Sequence, residues 1–165
     1  MGISFVRIDD RLIHGQVATT WVRNYNIEQV AVINDQLSKD PLQESVIKMA
    51  APTGVYAVLI DINSFIAVAK KGFKKKTMLI FTNPTDVLKV VENGVELPFI
   101  NVGGMKYREG RAKLTEAVSV TEEDMEAFKK LVEHGLDIEI QMVPSSEKQK
   151  ITKFLGLNKS EGRNV

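Results

Sequence analysis

Ile3-Ser4-Phe5-Val6-Arg7-Ile8-Asp9-Asp10-Arg11-Leu12-Ile13-His14-Gly15-Gln16-Val17 changes character twice within a few residues. The apolar run from Ile3 to Ile8 predicts a strand, and it stops abruptly at two carboxylates and an arginine. Three residues past Arg11 stands His14, one of two histidines in the chain. From Gly15 to Asn24 the pattern becomes helical, with Val17, Trp21 and Val22 on one side. Strand, polar loop and helix start follow the plan by which open α/β sheets bind ligands, because such a loop leaves the carboxyl edge of a strand.

The alternation repeats along the chain. Gln29–Ile33 is a short continuous apolar run, the mark of a strand covered on both faces, and it ends in Asn34-Asp35. Asp40-Pro41 opens a helix with Leu42, Val46, Ile47 and Ala50 on one face. After a turn at Pro52-Thr53-Gly54, Val55–Ile60 reads as a third buried strand, and Asn63 or Ser64 is expected to cap the next helix. Lys70, Lys71, Lys74, Lys75 and Lys76 read as a solvated helix end and loop. Met78–Phe81 is a fourth strand, and Thr82-Asn83 with Pro84 opens another helix. Phe99–Val102 is a fifth strand running into Gly103-Gly104, and Ala117–Val120 is a further short one. Thr121 to Asp124 has the form of a capping box ahead of Met125, Phe128, Leu131 and Val132. His134-Gly135 closes that helix, which accounts for His134 structurally. Leu136–Met142 alternates as an edge strand with Ile138, Ile140 and Met142 inward, and Ser145 or Ser146 is expected to cap a last short helix.

This succession predicts an α/β fold: a single-domain, doubly wound, mainly parallel sheet of about six or seven strands with helices on both faces. The domain is expected to span residues 1–157, with 158–165 as a frayed tail. The loops after the first, second, fourth and fifth strands then gather at one sheet edge. They bring Asp9 to His14, Asp35, Asn83 and the Asn101–Met105 segment into one neighbourhood.

Composition narrows the function classes. The chain has 165 residues, 44% hydrophobic and 26% charged, which is globular composition. A net charge of +1 asks for neither nucleic acid nor an anionic membrane. The absence of cysteine excludes disulfides and thiolate chemistry and fits a reducing compartment. The N-terminus lacks the pattern of a signal peptide, and no apolar run approaches the ~20 residues of a membrane span, so a cytoplasmic protein is expected.

The chemistry concentrates in the first loop. A histidine before a helix N-terminus lies beside open backbone N–H groups and the positive end of the helix dipole, which favour an anion. Arg11 can grip a phosphate with its planar fork. Asp9 or Asp10 can orient the imidazole tautomer, or simply close the turn through side-chain to backbone hydrogen bonds. Gly15, Gln16 and the paired glycines Gly103 and Gly104 are candidates for close backbone approach to a phosphoryl group, and Asn83 joins them from the fourth strand's loop. No cofactor is called for, and neither a G-x-G-x-x-G fingerprint nor a P-loop is present. Two alternatives are a metal-dependent hydrolase using Asp9, Asp10 and His14, and a non-catalytic nucleotide-binding regulator. No second ligand cluster supports the first, so no metal is expected, and no phosphate-cradling glycine loop supports the second.

Arg7 to Val17 resembles the signature of the enzyme IIB subunit of the mannose/fructose/sorbose family of the bacterial sugar phosphotransferase system. The likeness extends through Phe81-Thr-Asn-Pro-Thr-Asp86, Asn101-Val-Gly-Gly-Met105 and Ala117-Val-Ser-Val120, four separated stretches in the same order. The resemblance implies the same α/β architecture and a phosphotransferase without a cofactor. It implies that His14 takes a phosphoryl group from a histidine of a IIA protein or domain and passes it to a sugar imported by a IIC/IID membrane complex. Arg11 is then its phosphate partner, and contact with the membrane is peripheral, through that complex only.

Overall fold

The computed structural model describes residues 2–155, so the expected frayed tail lies outside the described residues. Strand β1 (Gly2–Asp9) is central. It is followed by α1 (Gly15–Asn24), β2 (Gln29–Ile33), α2 (Pro41–Ala50), β3 (Tyr56–Ile60), α3 (Ile62–Lys71), β4 (Lys76–Phe81), α4 (Pro84–Glu92) and β5 (Ile100–Gly104). A ribbon of β6 (Ala112–Lys113) and β7 (Ser119–Val120) precedes α5 (Glu122–Glu133), β8 (Ile138–Ile140) and β9 (Gln149–Lys150). Among the described residues the main sheet has seven strands in the order β3-β2-β4-β1-β5-β8-β9. All its pairings are parallel except the last, β8 with β9.

Successive side chains of a strand point to opposite faces, and β1 divides the core accordingly. Phe5 joins Trp21, Val22, Ile47, Met78 and Ile80 in the layer under α1 and α2. Val6 and Ile8 join Phe65, Leu79, Val87, Phe128 and Leu131 in the layer under α3, α4 and α5. Helices therefore cover both faces of a mainly parallel sheet, which is the doubly wound arrangement read from the sequence. Among the described residues no helix is long and apolar enough to cross a membrane.

Several local expectations are corrected. β3 is the outer strand, so it is only half-covered and Tyr56 is exposed. Helix α2 lies at that same end and buries Ile47 alone, leaving Leu42 and Val46 in solvent because little sheet extends beneath them. The cap of α3 is Asp61, not Asn63 or Ser64: its carboxylate accepts the Ser64 N–H at 2.8 Å. After Ile140 the alternation slips, with Gln141 buried and Met142 exposed. Gln141 turns inward because its side-chain amide donates to the carbonyls of Pro144 and Ser146. Ser145 and Ser146 cap no helix; the chain forms β9 first and then a 3-10 turn at Ile151–Phe154. The capping box of Thr121 and Asp124 and the C-cap at His134 before Gly135 stand as expected.

Candidate functional site

β1 ends in a charge cluster that its own geometry creates. Arg7 and Asp9 are two residues apart on a strand, so both side chains leave the same face, the one toward α1. That face is buried: Arg7 is 2% exposed and Asp9 0%. A buried charge is tolerable only when paired and hydrogen-bonded. Arg7 Nη2 donates to Asp9 Oδ2 at 3.0 Å and to the Met142 carbonyl at 3.1 Å. Its Nη1 donates to Asn101 Oδ1 and, at 3.4 Å, to the Gln141 carbonyl. The Trp21 ring lies 5.5 Å from the guanidinium, and Trp21 Nε1 donates to the same Met142 carbonyl at 2.9 Å. Burial pulls the Arg7 pKa below its ordinary value, and the adjacent Asp9 carboxylate opposes that shift.

Asp9 is shared with Arg11. Its Oδ1 accepts the Arg11 backbone N–H and Nε–H, each at 3.0 Å, and its Oδ2 accepts Arg11 Nη2–H at 3.1 Å. Asp10 faces elsewhere. Its Oδ2 accepts the Lys106 N–H at 2.8 Å and lies 3.8 Å from Arg111, tying the loop after β5 to the loop after β1. Gly103 and Gly104 are the room in which these arginines sit. A Cβ on Gly103 would overlap the Arg7 guanidinium, and one on Gly104 would lie 2.8 Å from Arg11 Nη2 and 3.1 Å from Asp9 Oδ1. The expected close approach at these glycines is therefore made by arginine side chains.

The loop turns back at Leu12, whose N–H donates to the Asp9 carbonyl at 3.0 Å and whose φ is +65°. Gly15 follows with φ +49°, a conformation that favours glycine. His14 stands between them as the extended N-cap of α1, and its side chain caps nothing. Its Nδ1 lies 3.1 Å from the Leu12 carbonyl, which can only accept, so that nitrogen carries the proton. Nε2 is covered and has no hydrogen-bond partner among the described residues. The tautomer is thus set by Leu12 and not by Asp9 or Asp10, because both carboxylates are engaged by arginines and backbone N–H groups.

The N-terminus of α1 is open. Among the described residues the other four α-helices each have a side chain accepting an early N–H, from Asp40, Asp61, Asn83 and Thr121. At α1 the N–H groups of Gly15, Gln16 and Val17 have no acceptor among the described residues, and no acid stands in the first turn. Gln16 is exposed. Arg11 is 41% exposed, and its Nη1 likewise has no partner among the described residues. Open helix N–H groups and a free guanidinium edge on one loop are donors suited to a phosphoryl group.

The carboxyl edge of the sheet also carries a second polar group, from the loops after β2 and β4. Asn34 and Asn83 both donate to Thr82 Oγ1, at 3.1 and 3.0 Å. Asn83 Oδ1 accepts the Asp86 N–H, so Asn83 serves as the cap of α4. Burial raises the Asp86 carboxyl above its ordinary range, and the nearby Asp35 charge adds to this against the Asn83 hydrogen bond and Lys89. Asn83 and Asp35 share the sheet edge with His14, but among the described residues no hydrogen bond links them to the His14 loop. Among the described residues no group of three or more His, Asp or Glu side chains is placed to hold a metal ion.

The sequence places Arg7 and Asn101 near the site, but their bond to each other and the bonds of Arg7 to the Gln141 and Met142 carbonyls went unread. One signal was available: an arginine between Val6 and Ile8 in a covered strand demands a buried partner, and an acid two positions away shares its face.

Fold and loop together define a doubly wound α/β domain that presents a histidine and an arginine at a helix N-terminus on the carboxyl edge of its sheet. Residues 3–164 match the family described as PTS system sorbose subfamily IIB component. The PTS system sorbose-specific EIIB component of Lacticaseibacillus casei is 35% identical over 152 residues, covering 89% of this chain and 93% of that protein. The PTS system mannose-specific EIIAB component of Escherichia coli (strain K12) is 43% identical over 157 residues, covering 94% of this chain. This chain spans about half the length of that EIIAB relative, 49%. The crystal structure of the IIBSor domain of the sorbose permease from Klebsiella pneumoniae superposes with a TM-score of 0.89 at 34% identity, covering 97% of this chain and 98% of the other. The chain belongs to the PTS sorbose subfamily IIB component family.

Proposed function

We propose that this chain is a cytoplasmic phosphocarrier of the sugar phosphotransferase system, its carrier domain spanning residues 1–157. His14 accepts a phosphoryl group from the phosphohistidine of a IIA protein or domain. It then passes the group to a sugar being imported by a IIC/IID membrane complex. Arg11 is the phosphate partner. One observation carries the reading: His14 is the N-cap of the one α-helix among the described residues without a capping side chain, and it shares its loop with the free edge of Arg11.

The chemistry asks for little else. A ring nitrogen of His14 attacks phosphorus, the donor P–N bond breaks, and the donor imidazole keeps the bonding pair. In the second step a sugar hydroxyl oxygen attacks, the P–N bond to His14 breaks, and the hydroxyl proton is released. Such transfer depends mainly on positioning and on donors around the equatorial oxygens. Arg11 Nη1 and the N–H groups of Gly15 to Val17 supply them in this reading. The ring turns outward before reaction, because Nδ1 is tied to Leu12 and Nε2 is covered in the conformation described.

Incubation with phosphorylated IIA should give an acid-labile, base-stable label on the wild type and on His134→Ala, and none on His14→Ala. A label that persists on His14→Ala and disappears from His134→Ala overturns the assignment.

A further inference from the structure

A guanidinium that is free to rotate around its stem offers a phosphate no preferred edge. Arg11 is held instead. Its backbone N–H, Nε–H and Nη2–H all donate to one carboxylate, that of Asp9, at 3.0, 3.0 and 3.1 Å. Nη2 also reaches the Gly103 carbonyl at 3.5 Å. With the Nε–Nη2 edge engaged, only the Nη1 side remains open. The carboxylate itself has no freedom, since Arg7 grips Oδ2 from the other side at 3.0 Å and is anchored in turn by Asn101, Gln141 and Met142.

Charge makes the same point. Asp9 paired with Arg11 alone would cancel the cation that a phosphate needs. The second, buried arginine leaves the trio with a net positive charge and Asp9 as its internal strut. Gly104 completes the arrangement through its lack of a side chain: a Cβ there would lie 2.8 Å from Arg11 Nη2, 3.2 Å from Nε and 3.1 Å from Asp9 Oδ1. Its φ lies outside the left-handed region, so clearance and not backbone freedom is what glycine supplies.

We propose that Asp9 is a positioning residue for phosphoryl transfer, with Arg7 as its fixed counter-cation and Gly104 as the clearance that lets Arg11 lie against it. Together they determine which edge of Arg11 meets the phosphoryl group. The proposal rests on the reading of Arg11 as the phosphate partner of His14, and it adds how that partner is aimed.

The test is rapid-quench transfer from the phosphorylated IIA component of the same organism's system, with both the saturated rate and the half-saturating donor concentration recorded. Arg11→Gln should lower the saturated rate by ~10²–10³, the loss typical of one preorganised donor. Asp9→Asn should lower it by on the order of 10², as expected when a donor is displaced by about 1 Å. Gly104→Ala, which only has to move Arg11 by tenths of an ångström, should lower it about tenfold. Half-saturation should stay near the wild-type value in all three. In an Arg11→Gln background both second substitutions should cost nothing further, because they act through the side chain already removed.

If Asp9→Asn does not fold, Gly104→Ala decides alone. Wild-type rates in folded Gly104→Ala, or losses of equal size with and without Arg11, overturn the positioning role. Wild-type transfer by Arg11→Gln overturns the underlying reading as well, so the two failures are distinct.

Discussion

Gly103→Ala should be among the most damaging single methyl additions in this protein. The new Cβ would fall within the Arg7 guanidinium, overlapping Cζ and both terminal nitrogens. Arg7 is 2% exposed and cannot step aside within a packed interior, so the guanidinium must leave its site. Asp9, itself fully buried, then loses one of its two cations, and Asn101 Oδ1 loses its Arg7 donor. Breaking a buried ion pair from one side costs ~3–5 kcal/mol. That is a large fraction of a domain stability of roughly 5–15 kcal/mol. For a chain of this size that is a fall of roughly 6–20 °C in melting temperature. Urea denaturation followed by circular dichroism and tryptophan fluorescence measures it, Trp21 being the only tryptophan and a neighbour of Arg7. Gly104→Ala is the control, since its close contacts are the end of the half-exposed Arg11 side chain and one Asp9 oxygen. A Gly103→Ala variant within about 1 kcal/mol of wild type would refute the claim that glycine is required as the Arg7 cavity.

Three further outcomes are expected. Asp61 caps α3 and its carboxyl is held below the ordinary range by hydrogen bonds from the Ser64 N–H and hydroxyl. Its stabilisation is therefore complete above the unfolded carboxyl pKa of ~3.9 and disappears as pH falls through the lower folded value. The stability gap between wild type and Asp61→Ala, measured by urea titration, should narrow below that range; a gap constant down to pH 2 contradicts the assignment. Thr121→Ala removes one half of the α5 capping box and should cost about 1 kcal/mol in the same assay, without altering phosphoryl transfer. Trp21→Phe keeps the ring beside Phe5 but deletes the donor to Met142. Because Arg7 still donates to that carbonyl, the loss should stay at ~1 kcal/mol and not reach that of an orphaned acceptor.

Legibility followed the range of the forces involved. β2, β4, α4 and α5 were readable because periodicity, proline at the first helical turn and the Thr121–Asp124 box act over four residues or fewer. The burial of α2 was not legible, because an apolar stripe of Leu42, Val46 and Ile47 says that a face is apolar, not that anything covers it. Whether it is covered depends on where β3 falls in the sheet, and β3 is outermost. The slip after Ile140 was hidden for a similar reason. Gln141 is drawn inward by carbonyls at Pro144 and Ser146 in a turn that has no periodic signal.

Local pattern along the chain was enough to specify an alternating α/β domain. It also determined that His14 and Arg11 lie on a loop between a strand and a helix, since both follow from patterns local to Arg7–Val17 and its counterparts. Tertiary structure decided what the loop's charges do. Arg7 finds its partners 94 and 134 residues away, at Asn101 and Gln141, because β5 pairs with β1 and β8 with β5. That adjacency turned Asp9 from a candidate orienter of the imidazole into the shared acceptor of two arginines, and Gly103 and Gly104 into the space they occupy. A charged side chain announces that it needs a partner when buried. Which partner it meets is set by strand order, a property of the whole sheet that no short stretch encodes.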